Sequence, residues 1–276
     1  MCIRDRPCRI ESEDRLRNVI TSVSYILKTF PESKVLVKEV DTQSHFSESA
    51  LPRIKKYVGD TSQLKHIFEQ NSEKLFHKTR ILNDLCVAAD TPILYNHDVD
   101  VVVLKNSHEL AYRAITKEGS DAVYPFGCGI YQWAVTYSDI LLDKFLSSHD
   151  GTDADYEVLK DAKVRIPSSI GWGQMITKSC EISAGLWNEE FLSWGAEDCE
   201  FYYRLNLFGF KVGRVIDDIY HFEHGRTFNS HYHNPKFQDN DRLWNWIRTQ
   251  DKESLTQYYG KLDYIKRRGK ELNASL

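Results

Sequence analysis

No apolar run in this 276-residue chain approaches the roughly 18 residues that cross a bilayer as a helix. The apolar core of a secretory leader is also missing from its start. A cytoplasmic protein is therefore expected, membrane-peripheral at most, with no transmembrane segment in this chain. Basic excess is lacking too: 36 Lys and Arg face 40 Asp and Glu, for a formal net charge of -4. Without a basic face or stripe, nucleic acid is not an expected partner. The six cysteines (Cys2, Cys8, Cys86, Cys128, Cys180, Cys199) have no C-x-x-C spacing, which suits reduced thiols better than a disulfide frame or a zinc knuckle. Repeats, low-complexity tracts and Pro/Gly linkers are absent as well. The expectation is one domain over 1–276, with 1–6 disordered or foreign and 241–276 a C-terminal helical extension. Nothing here speaks to oligomeric state.

What is present alternates between helical and strand patterns. After Ser12, a candidate N-cap followed by Glu13 and Asp14, apolar residues fall at Leu16, Val19, Ile20, Val23, Ile26, Leu27 and Phe30, one face of a helix that Pro31 ends. Lys34 to Val40 reads as a buried strand. A second helix is expected from Ser72 through Cys86, then a strand at Ile93-Leu94-Tyr95. This alternation argues for an α/β fold with a mainly parallel, mixed sheet, whose ligands bind at the carboxyl ends of strands.

Three groups of residues carry chemistry. Asp98-Val99-Asp100 follows a strand, and acids two apart on an extended chain point the same way, so both can reach one hard cation and the diphosphate it neutralises. The plainer alternative is a capped turn. In Trp194-Gly195-Ala196-Glu197-Asp198, the two acids fall in the first turn of a helix, where the backbone dipole favours the ionised form that can accept a proton; an ordinary helix start has the same look. His221 and His224, three apart, share a face if helical and can hold one ion, with Arg226 beside them for phosphate. Lys78 and Arg80 are further candidate cations for a diphosphate. Trp172 and Trp194 are candidates for stacking on apolar ligand faces, and Gly171 and Gly173 for close backbone approach.

The order of these blocks resembles the β-1,4-galactosyltransferase family and its bacterial and chondroitin-polymerase-like relatives. The likeness takes in Pro7 to Arg9, the stretch Phe76-His77-Lys78-Thr79-Arg80-Ile81-Leu82-Asn83, the Asp-Val-Asp motif, and Trp194 to Asp198, similar to the family's Trp-Gly-Gly-Glu-Asp. The resemblance implies a GT-A fold, a single Rossmann-like nucleotide-diphospho-sugar transferase domain. It also implies an inverting sugar transfer from a UDP-sugar to a glycan, polysaccharide or other hydroxyl acceptor, with Mn²⁺ or Mg²⁺. By the same match Asp198 is the general base and Glu197 an acceptor-positioning acid. Asp100, His221 and His224 are the metal ligands. Arg9, Phe76, Lys78, Arg80, Asp98, Val99, Gly171, Gly173, Trp194 and Arg226 line the donor site. Three departures stand out: Cys199 replaces an acid, His221 replaces a frequent Met, and 126–167 has no counterpart. Two rivals are a nucleotidyltransferase of related fold, for which no Gly-rich triphosphate loop is visible, and a non-catalytic glycan-binding protein.

Overall fold

The computed structural model of the protein describes residues 2–136, 138–159, 161–165 and 167–274. Its first strand, β1 (Cys2–Cys8), lies parallel between β2 (Lys34–Asp41) and β4 (Ile93–His97). The expectation of disorder over 1–6 is thereby corrected for 2–6; Met1 lies outside the described residues. The apolar run that normally marks a buried strand is missing because Arg6, fully buried, donates through Nη1 to Ser22 Oγ and to the Asp98 carbonyl, each at 3.2 Å. Side-chain hydrogen bonds there take the place of a greasy contact.

Helix α1 (Glu13–Thr29) starts as its caps dictate, Ser12 Oγ accepting from the Arg15 amide at 3.3 Å. Strand β2 is buried on both faces: Val35 and Val37 join the core under α1, while Leu36 and Val40 join the core on the other side of the sheet. Beyond it come α2 (Leu51–Val58) and the edge strand β3 (Leu64–Gln70). Helix α3 runs Lys78–Ala88, so the helix expected from Ser72 starts six residues late. Side chains capture the backbone before it: the Lys74 carbonyl accepts from Arg9 and Asn229, and the Phe76 amide donates to Asn229 Oδ1 at 2.8 Å.

After β4 the chain forms β5 (Val101–Val103), α4 (Lys105–Thr116), β6 (Ala122–Tyr124), β7 (Gln132–Val135), α5 (Asp139–Ser147), β8 (Lys163–Val164), β9 (Gly173–Thr177), α6 (Lys178–Ser183), α7 (Glu197–Phe208), β10 (Val212–Arg214) and β11 (Ile219–Phe222). The main sheet has seven strands in the order β10-β6-β9-β4-β1-β2-β3, with β9 antiparallel to both neighbours; a second sheet has the order β5-β11-β7-β8. Three helices follow, α8 (Phe237–Ile247), α9 (Lys252–Lys261) and α10 (Asp263–Ala274). They are fastened to α7 through buried Arg204, whose guanidinium holds Glu200 at 2.7 and 3.0 Å while Tyr259 Oη donates to the same carboxylate at 2.5 Å. Arg268 of α10 adds ion pairs to Asp84 at 2.6 Å and Glu189 at 2.8 Å. No helix among the described residues is long and apolar enough to cross a membrane.

Candidate active site

The two sheets meet where β4 ends, and the link between β4 and β5 is Asp98-Val99-Asp100. Its backbone is fixed from four sides. Ser22 Oγ donates to the Val99 carbonyl at 2.7 Å, Arg6 to that of Asp98, and the Phe222 amide to that of Asp100 at 2.8 Å, while the Asp98 amide donates to the Trp172 carbonyl at 3.0 Å. Val99 turns into the core beneath, so both acids face a cleft of about 170 Å³. They then diverge.

Asp100 meets two imidazoles. The antiparallel register of β5 and β11 pairs Val101 with His221, which sets His221 beside the acid, and His224 follows two residues after the strand. Their Nε2 atoms lie 3.8 and 3.2 Å from Asp100 Oδ2, and one ligand atom from each of the three residues falls within 4.8 Å of the others. The expected helical turn is corrected: strand and loop, not a helix face, bring the histidines together. Each ring has a partner behind it, His221 Nδ1–H donating to Glu223 Oε1 at 3.0 Å and His224 Nδ1–H to the Gly225 carbonyl at 2.9 Å. Such bonds leave both Nε2 lone pairs free to face a cation. One carboxylate and two imidazoles, sharing one point and oriented from behind, fit a divalent metal ion. Burial alone would raise the Asp100 carboxyl, but without a cation the positive charge that His221 and His224 carry when protonated outweighs it and holds the group well below the usual carboxylate range.

Asp98 belongs to the opposite corner. Lys78, the first residue of α3, points its Nζ between three acids, 3.2 Å from Asp98, 3.4 Å from Glu197 and 3.5 Å from Asp198. Burial works against the ammonium, yet Asp198, Asp98 and Glu197 together raise it well above an ordinary lysine. One cation cannot balance three anions. Burial, then repulsion from Glu197 and Asp98, pushes Asp198 up to about 7 against the lowering pull of Lys78, and Asp98 is raised mainly by burial. Glu197 and Asp198 stand in the first turn of α7, and Glu197 Oε2 also accepts from the Gly195 amide at 3.0 Å.

The loops around the cleft hold unusual backbone. Two of the four non-glycine residues with positive φ among the described residues line it, Trp172 at 93° and Ser193 at 60°, and a third, Ala196 at 66°, directly precedes Glu197. Trp172 is buried, stacked on His221 at 5.2 Å with Arg165 over its ring at 5.3 Å. Trp194 is 41% exposed and backed by Phe237 at 5.7 Å. Its carbonyl accepts from Asn234 at 2.6 Å and Asn240 at 3.2 Å, which ties this loop to α8.

Arg9, Phe76, Lys78, Asp98, Val99, Asp100, Trp194, Glu197, Asp198, His221, His224 and Arg226 all line the cleft. Gly171 and Gly173 line a smaller cavity that shares Lys78, Asp98, Trp172 and Asp198 with it. A Cβ on Gly171 would lie 2.0 Å from Asp198 Oδ2, so only glycine there leaves that carboxylate in place. Arg80 is a correction: α3 turns it to Glu69 of β3, at 2.5 Å, and it lines neither cavity. Sequence patterns missed Asn229, Ser230, Arg15 and Arg165, which also line the cleft, because isolated polar residues carry no periodic signal.

No protein-family model and no curated protein matches this sequence. Solved structures do. A mannosyltransferase of Pyrobaculum calidifontis, PcManGT, solved with GDP-Man and Mn²⁺, aligns over 99% of this chain and 72% of its own at a TM-score of 0.55 and 12% identity. TarS of S. aureus (1–349) with UDP-GlcNAc aligns over 98% and 70%, at 0.57 and 15%. GalNAc-T7 with UDP, GalNAc and Mn²⁺ aligns over 99% and 55%, at 0.60 and 14%. The chain has the GT-A fold. This chain thus spans little more than half the length of the GalNAc-T7 structure. At such identities the likeness fixes the GT-A architecture, and chemistry has to be argued from the site.

Proposed function

We propose that this GT-A protein is a metal-dependent glycosyltransferase, moving a sugar from a nucleotide-sugar donor to a hydroxyl of a glycan or other acceptor with inversion. The observation that carries the reading is the single cleft in which an Asp-His-His corner faces a Lys-Asp-Glu-Asp corner. One corner suits a cation and the other suits a proton acceptor. A divalent ion bound at Asp100, His221 and His224 supplies charge stabilisation for a departing diphosphate. Asp198 accepts the acceptor's hydroxyl proton, and its raised pKa matches a base that works near neutral pH. Glu197 orients the acceptor, Lys78 keeps the three carboxylates together, and Arg226 at the rim is the free-standing candidate for phosphate oxygens. Arg9 and Phe76, in contact at 5.4 Å, form the wall proposed for the base. Trp194 offers an aromatic face to a sugar ring.

The subtype we favour is the β-1,4-galactosyltransferase-like one, with a UDP-linked hexose or N-acetylhexosamine and a polysaccharide acceptor. It rests on the motif order together with neighbours whose structures hold UDP, UDP-GlcNAc and Mn²⁺. We place the reaction in the cytoplasm because no bridged cysteine occurs among the described residues. The test is a screen of nucleotide sugars with Mn²⁺, Mg²⁺ and a chelator. Release of nucleoside diphosphate that the chelator abolishes is the expected result. Release of sugar 1-phosphate, the leaving group when the nucleotidyl group rather than the sugar is transferred, would instead establish nucleotidyl transfer, and acceptor binding without turnover of any donor would leave a glycan-binding protein.

A further inference from the structure

Below the acids lies the smaller cavity, about 20 Å³, between the sheet and the first turns of α3 and α7. Its floor is polar although its depth is that of the core. Asn96 and Gln174 face each other across the antiparallel β4–β9 pair, so their side chains leave the sheet on the same side. They are 3% and 2% exposed. Asn96 donates to Glu181 at 2.8 Å, which leaves its Oδ1 without a partner, and neither Gln174 Oε1 nor Gln174 Nε2 has one among the described residues. The Trp187 indole N–H, on the same wall, is also unpartnered. Buried polar groups without partners are rare in native proteins, and several aimed at one small space mark a place filled by something absent from the chain itself.

The geometry points to a hydroxyl of the transferred sugar: Gln174, with Asn96, reads that hydroxyl and so selects among donors. This inference rests on the glycosyltransferase reading. The cavity shares Lys78, Asp98, Trp172 and Asp198 with the cleft and so lies against the corner of the proposed base, where the reacting sugar meets its acceptor. Gln174 offers one donor and one acceptor and Asn96 a second acceptor, the complement of an O–H group. Size narrows the choice, because a void needs about 10–15 Å³ to hold one water, so a hydroxyl fits while an acetamido group is too large.

The experiment uses the full chain with the nucleotide sugar it turns over and the complete set of monodeoxy analogues of that donor, comparing kcat/KM. In the wild type one analogue should lose at least about a hundredfold, since a site built to bond a hydroxyl rejects the analogue lacking it. In Gln174→Met that gap should shrink below about tenfold, because the intact donor has lost its partner, while the Kd of free nucleoside diphosphate stays unchanged. Two results overturn the inference: every analogue within about threefold of the parent, which means that the cavity holds only water, or a gap that Gln174→Met leaves intact. The first needs no variant, so a Gln174→Met protein that fails to fold does not shield the idea. If no nucleotide sugar supports transfer, the glycosyltransferase reading falls and takes this inference with it; intact transfer with unmoved discrimination removes this inference alone.

Discussion

The two corners of the cleft use the same side chain to opposite ends. Asp100 and Asp198 are both aspartates at element boundaries, and both are sheltered from bulk water. Yet Asp100 is held well below the ordinary range by His221 and His224, while Asp198 is pushed up to about 7 by burial and by its neighbouring acids. A carboxylate that stays charged is suited to a cation, and one poised near neutrality is suited to exchanging a proton. Divergent environments of this kind separate roles better than residue identity does. The partners decide, two imidazoles in one case and two further acids in the other.

The largest effect should come from removing the cation corner. Asp100→Ala takes away the only carboxylate of the three candidate ligands; we expect turnover to fall by about a thousandfold or more, with chelation of the wild type giving the same loss. Titration of Mn²⁺ by electron spin resonance checks that binding itself has gone. A variant that releases nucleoside diphosphate at the wild-type rate would move the metal elsewhere.

Next is the base. Asp198→Asn should lower turnover at least about a hundredfold while leaving donor affinity nearly intact. The wild-type rate should also drop as pH falls through about 7, because protonation removes the base. Stability has the reverse sign. Since the folded state binds this proton more tightly than the unfolded chain, the group's contribution to stability is present at low pH and is lost as pH rises through the folded pKa. Asp198→Asn should therefore melt above the wild type at pH 8 although it is inactive, and differ less at pH 5. Gly171→Ala is the finer version of the same test. The added methyl would lie 2.0 Å from Asp198 Oδ2, so the carboxylate must swing aside while the backbone, which has no need of positive φ, can stay. A rate loss between about ten- and a hundredfold with an unchanged melting temperature is expected.

Much of this contrast was legible before any coordinates. The face of α1, the acids after β4 and the two acids opening α7 all follow from local rules, namely period, cap and dipole, that act within a few residues. What was not legible depends on partners far along the chain. His221 and His224 were expected on a helical turn, but the ladder between β5 and β11 is what sets them against Asp100. Arg80 has the composition of a phosphate ligand, and Glu69 on the edge strand captures it. Asn229 replaces the first turn of the expected helix at Ser72, because its amide bonds to the backbone on both sides of Leu75. Asn96 and Gln174 look like ordinary strand polar residues until the register places them together over a cavity.

The smallest effect should come from behind the metal corner. Glu223 accepts from His221 Nδ1–H and is paired with Arg165, so it fixes the tautomer that turns Nε2 toward Asp100 and raises the basicity of the ring. In Glu223→Gln the amide still accepts a hydrogen bond at nearly the same place, but it brings no charge, and Arg165 loses its partner. Metal affinity should weaken by about tenfold, the low end for such supporting residues, with kcat at saturating metal close to normal. Asp198 lies at the other corner, so the pH profile at saturating metal should not move. A shifted profile would mean that the two corners titrate as one network and that Asp100 and Asp198 do not divide the labour between them.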